Sequence, residues 1–378
     1  MSRNRSSGDA YYPTLDGWRA IAIAGVTVAH VSFPIFRAGG TSPNAAALNA
    51  TRYGALGVDV FFGISGFLIC SRLLKELQRT GRLNLRRFYI RRVFRILPPY
   101  LATLLTVALA GAIGVLPLTR GEFWTCLLFV RNYLPTAGAE SGWYTGHFWS
   151  LSVEEHFYLL FPMLLAMWQP RGALRYTAIV AMAIAVWRVV EFRLGLVSSL
   201  LPAASFYERS DVRMDALLWG CFVAIALSDP ERRARYREAV TPFVWCVLVA
   251  LYVGCVAMRP PLAMAFEAVL IPLILAGTVL RPEMFIGRLL ETRVFRWVGR
   301  LSYSLYLWQT PFMAPTVPSP LGSLQLFPLN VIGLIATAAA SYYVIERPMI
   351  ALGRRLSSDR AMVAVPMPLA ASSEATLF

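Results

Sequence analysis

Long apolar stretches separated by short polar segments dominate the sequence. Ten of them reach or approach the ~20 residues that a helix needs to cross a bilayer. They lie at residues 15–36, 54–77, 93–117, 147–168, 173–193, 211–228, 241–258, 262–280, 297–316 and 324–346. The pattern predicts an all-α fold, a polytopic transmembrane bundle of about ten helices. The apolar stretch 121–134 is too short to cross and is predicted to be interfacial or re-entrant.

Basic residues are distributed unevenly between these spans. If the N-terminus is inside, the cytoplasmic segments contain the basic clusters at 75–92, 232–237, 281–296 and 347–355. The opposite segments hold far fewer arginines, so the positive-inside rule places both termini in the cytoplasm. The polar start has no cleavage-site context, and we interpret 15–36 as the first transmembrane helix. We predict one membrane domain over residues 1–350, a mobile cytoplasmic tail over 351–378, and a plasma (inner) membrane location.

Composition supports this interpretation. The chain is 57% hydrophobic and only 15% charged, whereas a soluble protein carries about a quarter charged residues. The net charge of +15 lies in short clusters between apolar stretches, which argues against a nucleic-acid partner. The five cysteines show no metal or redox spacing, so we predict no metal site.

The first span contains two ionisable residues, Arg19 and His30. Eleven residues are about three helical turns, so both side chains lie on one face, ~16 Å apart along the axis. Ionisable groups inside a span usually face a cavity or a partner. The structural alternatives are that Arg19 extends to the inner headgroups and that His30 makes an interhelical hydrogen bond.

Two adjacent carboxylates, Glu154 and Glu155, enter the fourth span one to two turns from its outer end. Adjacent helical side chains point ~100° apart, so we expect only one of them to face the cavity. Glu154 is predicted to lie at about the depth of His30. A carboxylate beside a histidine fixes its tautomer and raises its basicity. Glu154 and His30 are therefore the predicted acid–base pair.

Asp59 enters the second span among three glycines that allow close helix approach. Its predicted role is a structural salt bridge to an outer arginine such as Arg213, near Asp215, with an acceptor-side role as the alternative. In the first cytoplasmic loop, Arg92 and Arg95 share a helical face and are able to bind phosphate. From these residues alone, a patch for anionic lipids is the favoured interpretation.

Together these segments resemble the membrane acyltransferase 3 family, which includes O-antigen and exopolysaccharide O-acetylases and macrolide O-acyltransferases. Seven blocks follow the family's order and extend over residues 12 to about 350. They are Leu15–Arg19 with His30, Gly57–Ile69, Arg86–Pro98, Trp149–Glu155, Arg213–Gly220, Gly299–Trp308 and Ile345–Pro348. One block alone is a weak match, but seven in order are highly specific.

The resemblance implies transfer of an acyl group, often acetyl, from acyl-CoA to a hydroxyl of a carbohydrate or glycosylated acceptor. It implies no permanently bound cofactor. Its signature arginine and histidine map onto Arg19 and His30, the arginine pair onto Arg92 and Arg95, and the glutamate onto Glu154. His30 is then the general base or an acyl relay, and Arg19 faces the donor.

Two positions depart from the family pattern. His156 stands where glutamine is usual, which is expected to tune the acceptor pocket, and Gln309 stands where histidine is frequent. With no extracytoplasmic esterase-like domain after the spans, the chain resembles the shorter members. The alternatives are a proton-coupled transporter or flippase that uses the same charges, and an inactive scaffold. The acceptor and the acyl chain length stay open.

Overall fold

The computed structural model describes residues 11–37, 54, 56–134, 142–258, 262–313 and 321–358; at 31–37 and 169–171 it describes the backbone only. These ranges contain helices and no strand, which confirms the all-α class. The α-helices are α1 Pro13–Arg37, α2 Gly57–Thr80, α3 Leu85–Ala112, α4 Arg120–Leu127, α5 Trp143–Gly146, α6 Phe148–Leu194, α7 Leu196–Leu200, α8 Ser210–Arg213, α9 Asp215–Ala226, α10 Pro230–Ala239, α11 Pro242–Met258, α12 Ala263–Leu280, α13 Phe285–Leu290, α14 Arg293–Phe312, α15 Leu329–Ser341 and α16 Arg347–Ser357. Two 3₁₀ turns, Phe206–Glu208 and Gly322–Gln325, and a π-helical turn, Tyr342–Glu346, complete the described elements.

Several of these helices are long and apolar enough to cross a bilayer. By length and composition, five helical segments of the described residues qualify: Gly57–Thr80, Leu85–Ala112, Gly172–Leu194, Ala263–Leu280 and Leu329–Ser357. Gly172–Leu194 is the second part of α6, and Leu329–Ser357 comprises α15, the π-helical turn and α16. The pair α10 and α11, bent by 85°, makes a sixth candidate. The chain is therefore a multi-pass membrane bundle, as predicted. The orientation of its termini stays a prediction.

The single helical run α6 includes both the fourth and the fifth predicted spans. Residues near its two ends contact the same segment: His156 Nδ1 is 2.7 Å from Ser210 Oγ, and Trp187 Nε1 donates to Asp211 at 2.8 Å. In a straight helix, His156 and Trp187 would be about 46 Å apart. The run therefore doubles back between them, in agreement with two antiparallel spans.

Glycines bring the central helices into backbone contact. A Cβ on Gly66 of α2 would lie 1.9 Å from the carbonyl oxygen of Leu217 in α9. A Cβ on Gly299 of α14 would lie 1.7 Å from the carbonyl oxygen of Asp16 in α1. No side chain fits at either position, so the predicted close approach of small residues holds for α2 and extends to the contact between α1 and α14.

Helix α16 extends the folded domain beyond its predicted end at residue 350. Arg91 Nε of α3 donates to Ser357 Oγ at 2.9 Å. A Cβ on Gly353 would lie 2.6 Å from Phe94 Cβ, so α16 packs tightly against α3. Residues 351–357 therefore belong to the packed bundle instead of the predicted tail, because Gly353 permits this contact. Residues 359–378 of that tail lie outside the described residues.

Candidate active site

A cavity of ≈ 730 Å³, counting its open mouth, lies where α1, α2, α3, α6 and α14 meet. Its walls combine three guanidinium groups and two carboxylates with hydroxyl, phenol and apolar side chains. The lining residues are Arg19, Arg92, Arg95, Glu154, Glu155, Ser65, Ser150, Ser302, Tyr158, Tyr303, Tyr306, Val58, Phe61, Phe62, Ile96 and Leu151. The structure thus brings together four of the predicted site residues, Arg19, Arg92, Arg95 and Glu154, and adds the neighbouring Glu155.

The three arginines of the cavity differ in how they are held. Arg19 lies 3.6 Å from the carboxylate of Asp16, one turn earlier on α1. Arg92 rests over the ring of Tyr158, 4.6 Å from its centroid. Among the described residues, neither Arg92 nor Arg95 has a carboxylate within ion-pair distance. Both line an internal cavity instead of the lipid-facing surface, which favours a ligand over a lipid patch.

The carboxylate of Glu154 is held by two hydroxyl groups. Ser65 donates to its Oε1 at 2.9 Å, and Tyr158 donates to its Oε2 at 2.8 Å. Glu155 also lines the cavity, and among the described residues its carboxylate has no hydrogen bond or ion pair. The expectation that only one glutamate faces the cavity is therefore wrong, because helices on several sides of α6 enclose a space wide enough for both.

His30 lies outside the cavity, in an aromatic layer farther along α1. Its Nδ1 is 2.8 Å from the carbonyl oxygen of Val26, and its ring packs edge-on against Trp143 with centroids 5.9 Å apart. A carbonyl only accepts, so Nδ1 carries the proton and donates. Nε2 then holds the lone pair that a base or a nucleophile needs.

The predicted pairing of His30 with Glu154 is not present. Val26 orients the imidazole, and both oxygens of Glu154 are occupied by other groups. Trp143 contacts His30 and lies four residues before His147. Glu154 lies after His147, about 10 Å farther along the helix. His30 and Glu154 therefore lie at different depths in the bundle. The prediction placed them at the same depth because it counted residues from the ends of two spans, and this count does not account for the tilt of the helices.

Tyr306 connects the cavity with the aromatic layer. Its ring lines the cavity and lies 5.3 Å from the ring of His147. Its hydroxyl donates to the His147 carbonyl at 2.6 Å and is 2.6 Å from Ser150 Oγ. Ser150 and Tyr306 thus lie at the boundary between the cavity and the layer that holds His147, Trp143 and His30.

Behind the cavity, the ionisable groups form buried pairs. Arg213 binds Asp59, which confirms the predicted salt bridge, and its guanidinium stacks 5.6 Å from Phe62. Asp215 pairs with Arg188. The roles of Asp59, Arg213 and Asp215 in acceptor binding stay predictions. Arg188 was missed although a charge in an apolar span is itself the signal for a partner.

A second network surrounds the C-terminal end of α6. Arg209 donates to Glu191 at 2.8 Å and to Asp211 at 2.6 Å. Asp211 also accepts a hydrogen bond from Trp187 at 2.8 Å. This network fixes the segment that also contacts His156.

The two positions that depart from the family pattern are both structural contacts here. His156 Nδ1 is 2.7 Å from Ser210 Oγ, and it does not line the cavity. Gln309 is buried and donates to the Tyr306 carbonyl at 3.1 Å. Ser65 and Tyr158 were not predicted as site residues, although Tyr158 follows Glu154 by one turn and so shares its face.

Comparison with known proteins agrees with the motifs. A family model described as an acyltransferase domain matches residues 12–346. This match confirms the resemblance seen in the seven sequence blocks. No solved structure matches the chain significantly.

Curated relatives match most of the chain. The putative peptidoglycan O-acetyltransferase YrhL of Bacillus subtilis (strain 168) is 30% identical over 384 residues, with 93% of this chain and 57% of the relative covered. The peptidoglycan O-acetyltransferase OatA of Listeria monocytogenes is 26% identical, with 92% and 56% covered. A putative O-acetyltransferase of Staphylococcus aureus (strain COL) is 27% identical, with 79% and 50% covered. The chain thus spans about half the length of these relatives.

Proposed function

Since this chain belongs to the acyltransferase 3 family, we propose that it moves an acetyl group from acetyl-CoA to a hydroxyl of a carbohydrate acceptor at the plasma (inner) membrane. The observation that carries the proposal is the cavity itself. Its lining includes Arg92 and Arg95, neither of which has a carboxylate within ion-pair distance among the described residues, and Tyr306, which contacts His147 of the histidine layer. The relatives named as peptidoglycan O-acetyltransferases support acetyl as the group and a cell-wall glycan as the acceptor class.

The donor would bind with its phosphates at Arg92 and Arg95. Forked guanidinium groups bind phosphate oxygens bidentately, and no carboxylate of the part of the chain that the structure describes lies within ion-pair distance of these two. Arg19 lines the same cavity and would receive a phosphate or the polar part of the pantetheine arm. That arm must span the ~16 Å between the levels of Arg19 and His30 to present its thioester to the imidazole.

Transfer would occur at Nε2 of His30. The Nδ1–H bond to Val26 leaves the Nε2 lone pair available to take the proton of the acceptor hydroxyl. The hydroxyl oxygen attacks the thioester carbonyl carbon, the carbon–sulfur bond breaks, and the leaving thiolate receives the proton from Nε2. In the relay variant, Nε2 attacks the thioester carbonyl carbon and the CoA thiolate leaves. The acceptor hydroxyl oxygen then attacks the acetyl carbon, the carbon–nitrogen bond breaks, and the hydroxyl proton passes to the thiolate.

Glu154 would act on the donor side instead of on His30. Its bonds to Ser65 and Tyr158 fix the phenol over which Arg92 rests. The carboxylate also balances part of the positive charge of the cavity before the donor arrives. In this arrangement Glu154 is a positioning residue for the arginines.

The test is acetyl transfer by the purified protein in detergent or nanodiscs. Wild type should transfer or hydrolyse the label of [¹⁴C]acetyl-CoA, and His30→Gln should lose at least 99% of that activity with an unchanged melting temperature. His156→Gln is the matched control, because His156 contacts Ser210 and does not line the cavity. Full activity in His30→Gln would remove His30 from the mechanism.

The comparisons do not favour the transporter or flippase alternative, since the curated relatives described above are named as O-acetyltransferases. Flux measurements separate the two classes. Proteoliposomes that move a glycan or protons without consuming acetyl-CoA would support the alternative and contradict the proposal.

A further inference from the structure

A groove of ≈ 1060 Å³, counting its open side, runs along the first two turns of α14 and shares no lining residue with the cavity described above. Its lining residues are Arg293, Val294, Arg296, Trp297 and Arg300. Positions 293, 296, 297 and 300 follow the spacing i, i+3, i+4 and i+7, so their side chains lie on one face of the helix. Three guanidinium groups therefore extend along ~10 Å of helix surface.

The positive charge of this groove is not balanced by a carboxylate of the described residues. None of its three guanidinium groups lies within ion-pair distance of an aspartate or glutamate in that part of the chain. Arg296 Nε donates to the Tyr11 hydroxyl at 3.2 Å, and Arg300 Nε donates to the Arg296 carbonyl at 3.1 Å. Both acceptors are neutral, so the groove keeps a positive charge that an anionic ligand would balance.

Exposed aromatic and aliphatic side chains border the arginines. Trp297 Nε1 donates to the Tyr343 hydroxyl at 3.3 Å, and both rings are partly exposed. Val294 is 69% exposed, and Val344, next to Tyr343, is 73% exposed. Tryptophan and tyrosine are enriched where hydrocarbon meets lipid headgroups. The ligand that fits these contacts has an anionic head and apolar chains.

The groove also lies at a suitable level in the bundle. The 20 residues of α14 extend about 30 Å, which equals the thickness of the hydrocarbon core. The first turns of α14 therefore lie at one edge of the core when the rest of the helix crosses it. The positive-inside rule predicts that this edge is the cytoplasmic one, where anionic lipids attract basic side chains.

We propose that this groove binds the headgroup of an anionic phospholipid such as phosphatidylglycerol, from the leaflet that is predicted to be cytoplasmic. The lipid phosphate accepts hydrogen bonds from Arg293 and Arg300, and the acyl chains lie against Val294 and Val344. A zwitterionic lipid has a phosphate too, but its ammonium group cancels the charge and should weaken binding. The site does not rest on the proposed function, because it involves neither the cavity nor acetyl transfer.

The test is native mass spectrometry of the full chain, delipidated in detergent and titrated with phosphatidylglycerol or phosphatidylcholine of identical acyl chains. An arginine near a membrane surface changes the affinity for an anionic lipid about fivefold. Wild type should therefore bind phosphatidylglycerol at least about tenfold more tightly than phosphatidylcholine. Arg293→Gln and Arg300→Gln should each raise the Kd for phosphatidylglycerol about fivefold and change the Kd for phosphatidylcholine less than about twofold.

Arg296 is not substituted in this test because its contacts lead to the cavity. The Tyr11 hydroxyl, which accepts from Arg296, donates to Asp16 at 2.8 Å, and Asp16 lies 3.6 Å from Arg19 of the cavity. The matched control is Arg233→Gln, which removes an exposed arginine of α10 outside the groove, on the same predicted side of the membrane. Its Kd for phosphatidylglycerol should stay within about twofold of the wild-type value.

Three results would overturn the lipid site. They are equal Kd values of wild type for the two lipids, equal effects of Arg233→Gln and Arg293→Gln, and binding of the free headgroup glycerophosphoglycerol as tight as that of the lipid. The second result would indicate diffuse attraction by surface charge, and the third a site for soluble anions. The first and third use wild type alone, so they decide the matter even if a variant does not fold. Absence of acetyl transfer would overturn the proposed function and leave the lipid measurement unchanged.

Discussion

Removing the charge of Arg92 or Arg95 should weaken donor binding, and the loss should come only from the contacts of these side chains with the phosphates of the donor. Both guanidinium groups line the cavity, and within the described part of the chain neither is committed to a carboxylate. A hydrogen bond to a charged group contributes ~1.5–3 kcal/mol. Because 1.4 kcal/mol is about a factor of ten, each of Arg92→Gln and Arg95→Gln should raise the Kd for CoA about tenfold to 150-fold.

The assay is equilibrium binding of CoA and of pantetheine, which lacks the nucleotide and its phosphates. Pantetheine binding should change less than threefold in either variant. Arg86→Gln is the matched control, since Arg86 is an exposed arginine of the same helix, outside the cavity. The double variant should lose less than the sum of the single losses if both arginines bind the same phosphate. Equal losses for CoA and pantetheine would refute phosphate recognition here.

Three further predictions concern the walls of the cavity. Glu154→Gln should lower kcat at least tenfold while the melting temperature stays within a few degrees, and an unchanged kcat would show that this carboxylate is dispensable. Asp59→Asn leaves Arg213 buried without its partner and should destabilise the protein by ~3–5 kcal/mol, measured as a lower melting temperature in detergent. Gly66→Ala should cost ~1–3 kcal/mol by overpacking α2 against α9, whereas Gly254→Ala, where a Cβ meets no atom within 4 Å, should not destabilise. Equal melting temperatures for the two alanine variants would contradict the packing argument.

Much of the architecture could be predicted from the sequence. Apolar length predicts spans, because each backbone polar group in lipid must be satisfied within a helix. The glycines of the second span predict close packing, and Gly66 makes such a contact with α9. The pair Asp59–Arg213 could be inferred because a carboxylate in a span requires a cation.

The partners of His30 and Glu154 could not be predicted in the same way. Counting helical turns from the end of a span gives the depth of a residue in the bilayer only if the helix is upright and its ends are known. Residues at the same count in two tilted helices therefore need not lie at the same depth. Trp143 lies beside His30, whereas Ser65 and Tyr158 hold Glu154. The burial of Arg131 could not be predicted either, because a turn residue is usually exposed and this burial arises from tertiary packing alone.

We propose that the acetyl group passes from acetyl-CoA bound at Arg92 and Arg95, on the predicted cytoplasmic side, to an acceptor that reaches His30 from the opposite side. Proteoliposomes test it directly when acetyl-CoA is sealed inside and an impermeant saccharide acceptor is supplied either inside or outside. Product should form only when donor and acceptor are on opposite sides of the bilayer, and none should form with His30→Gln. Product formed only when both are on the same side would contradict it.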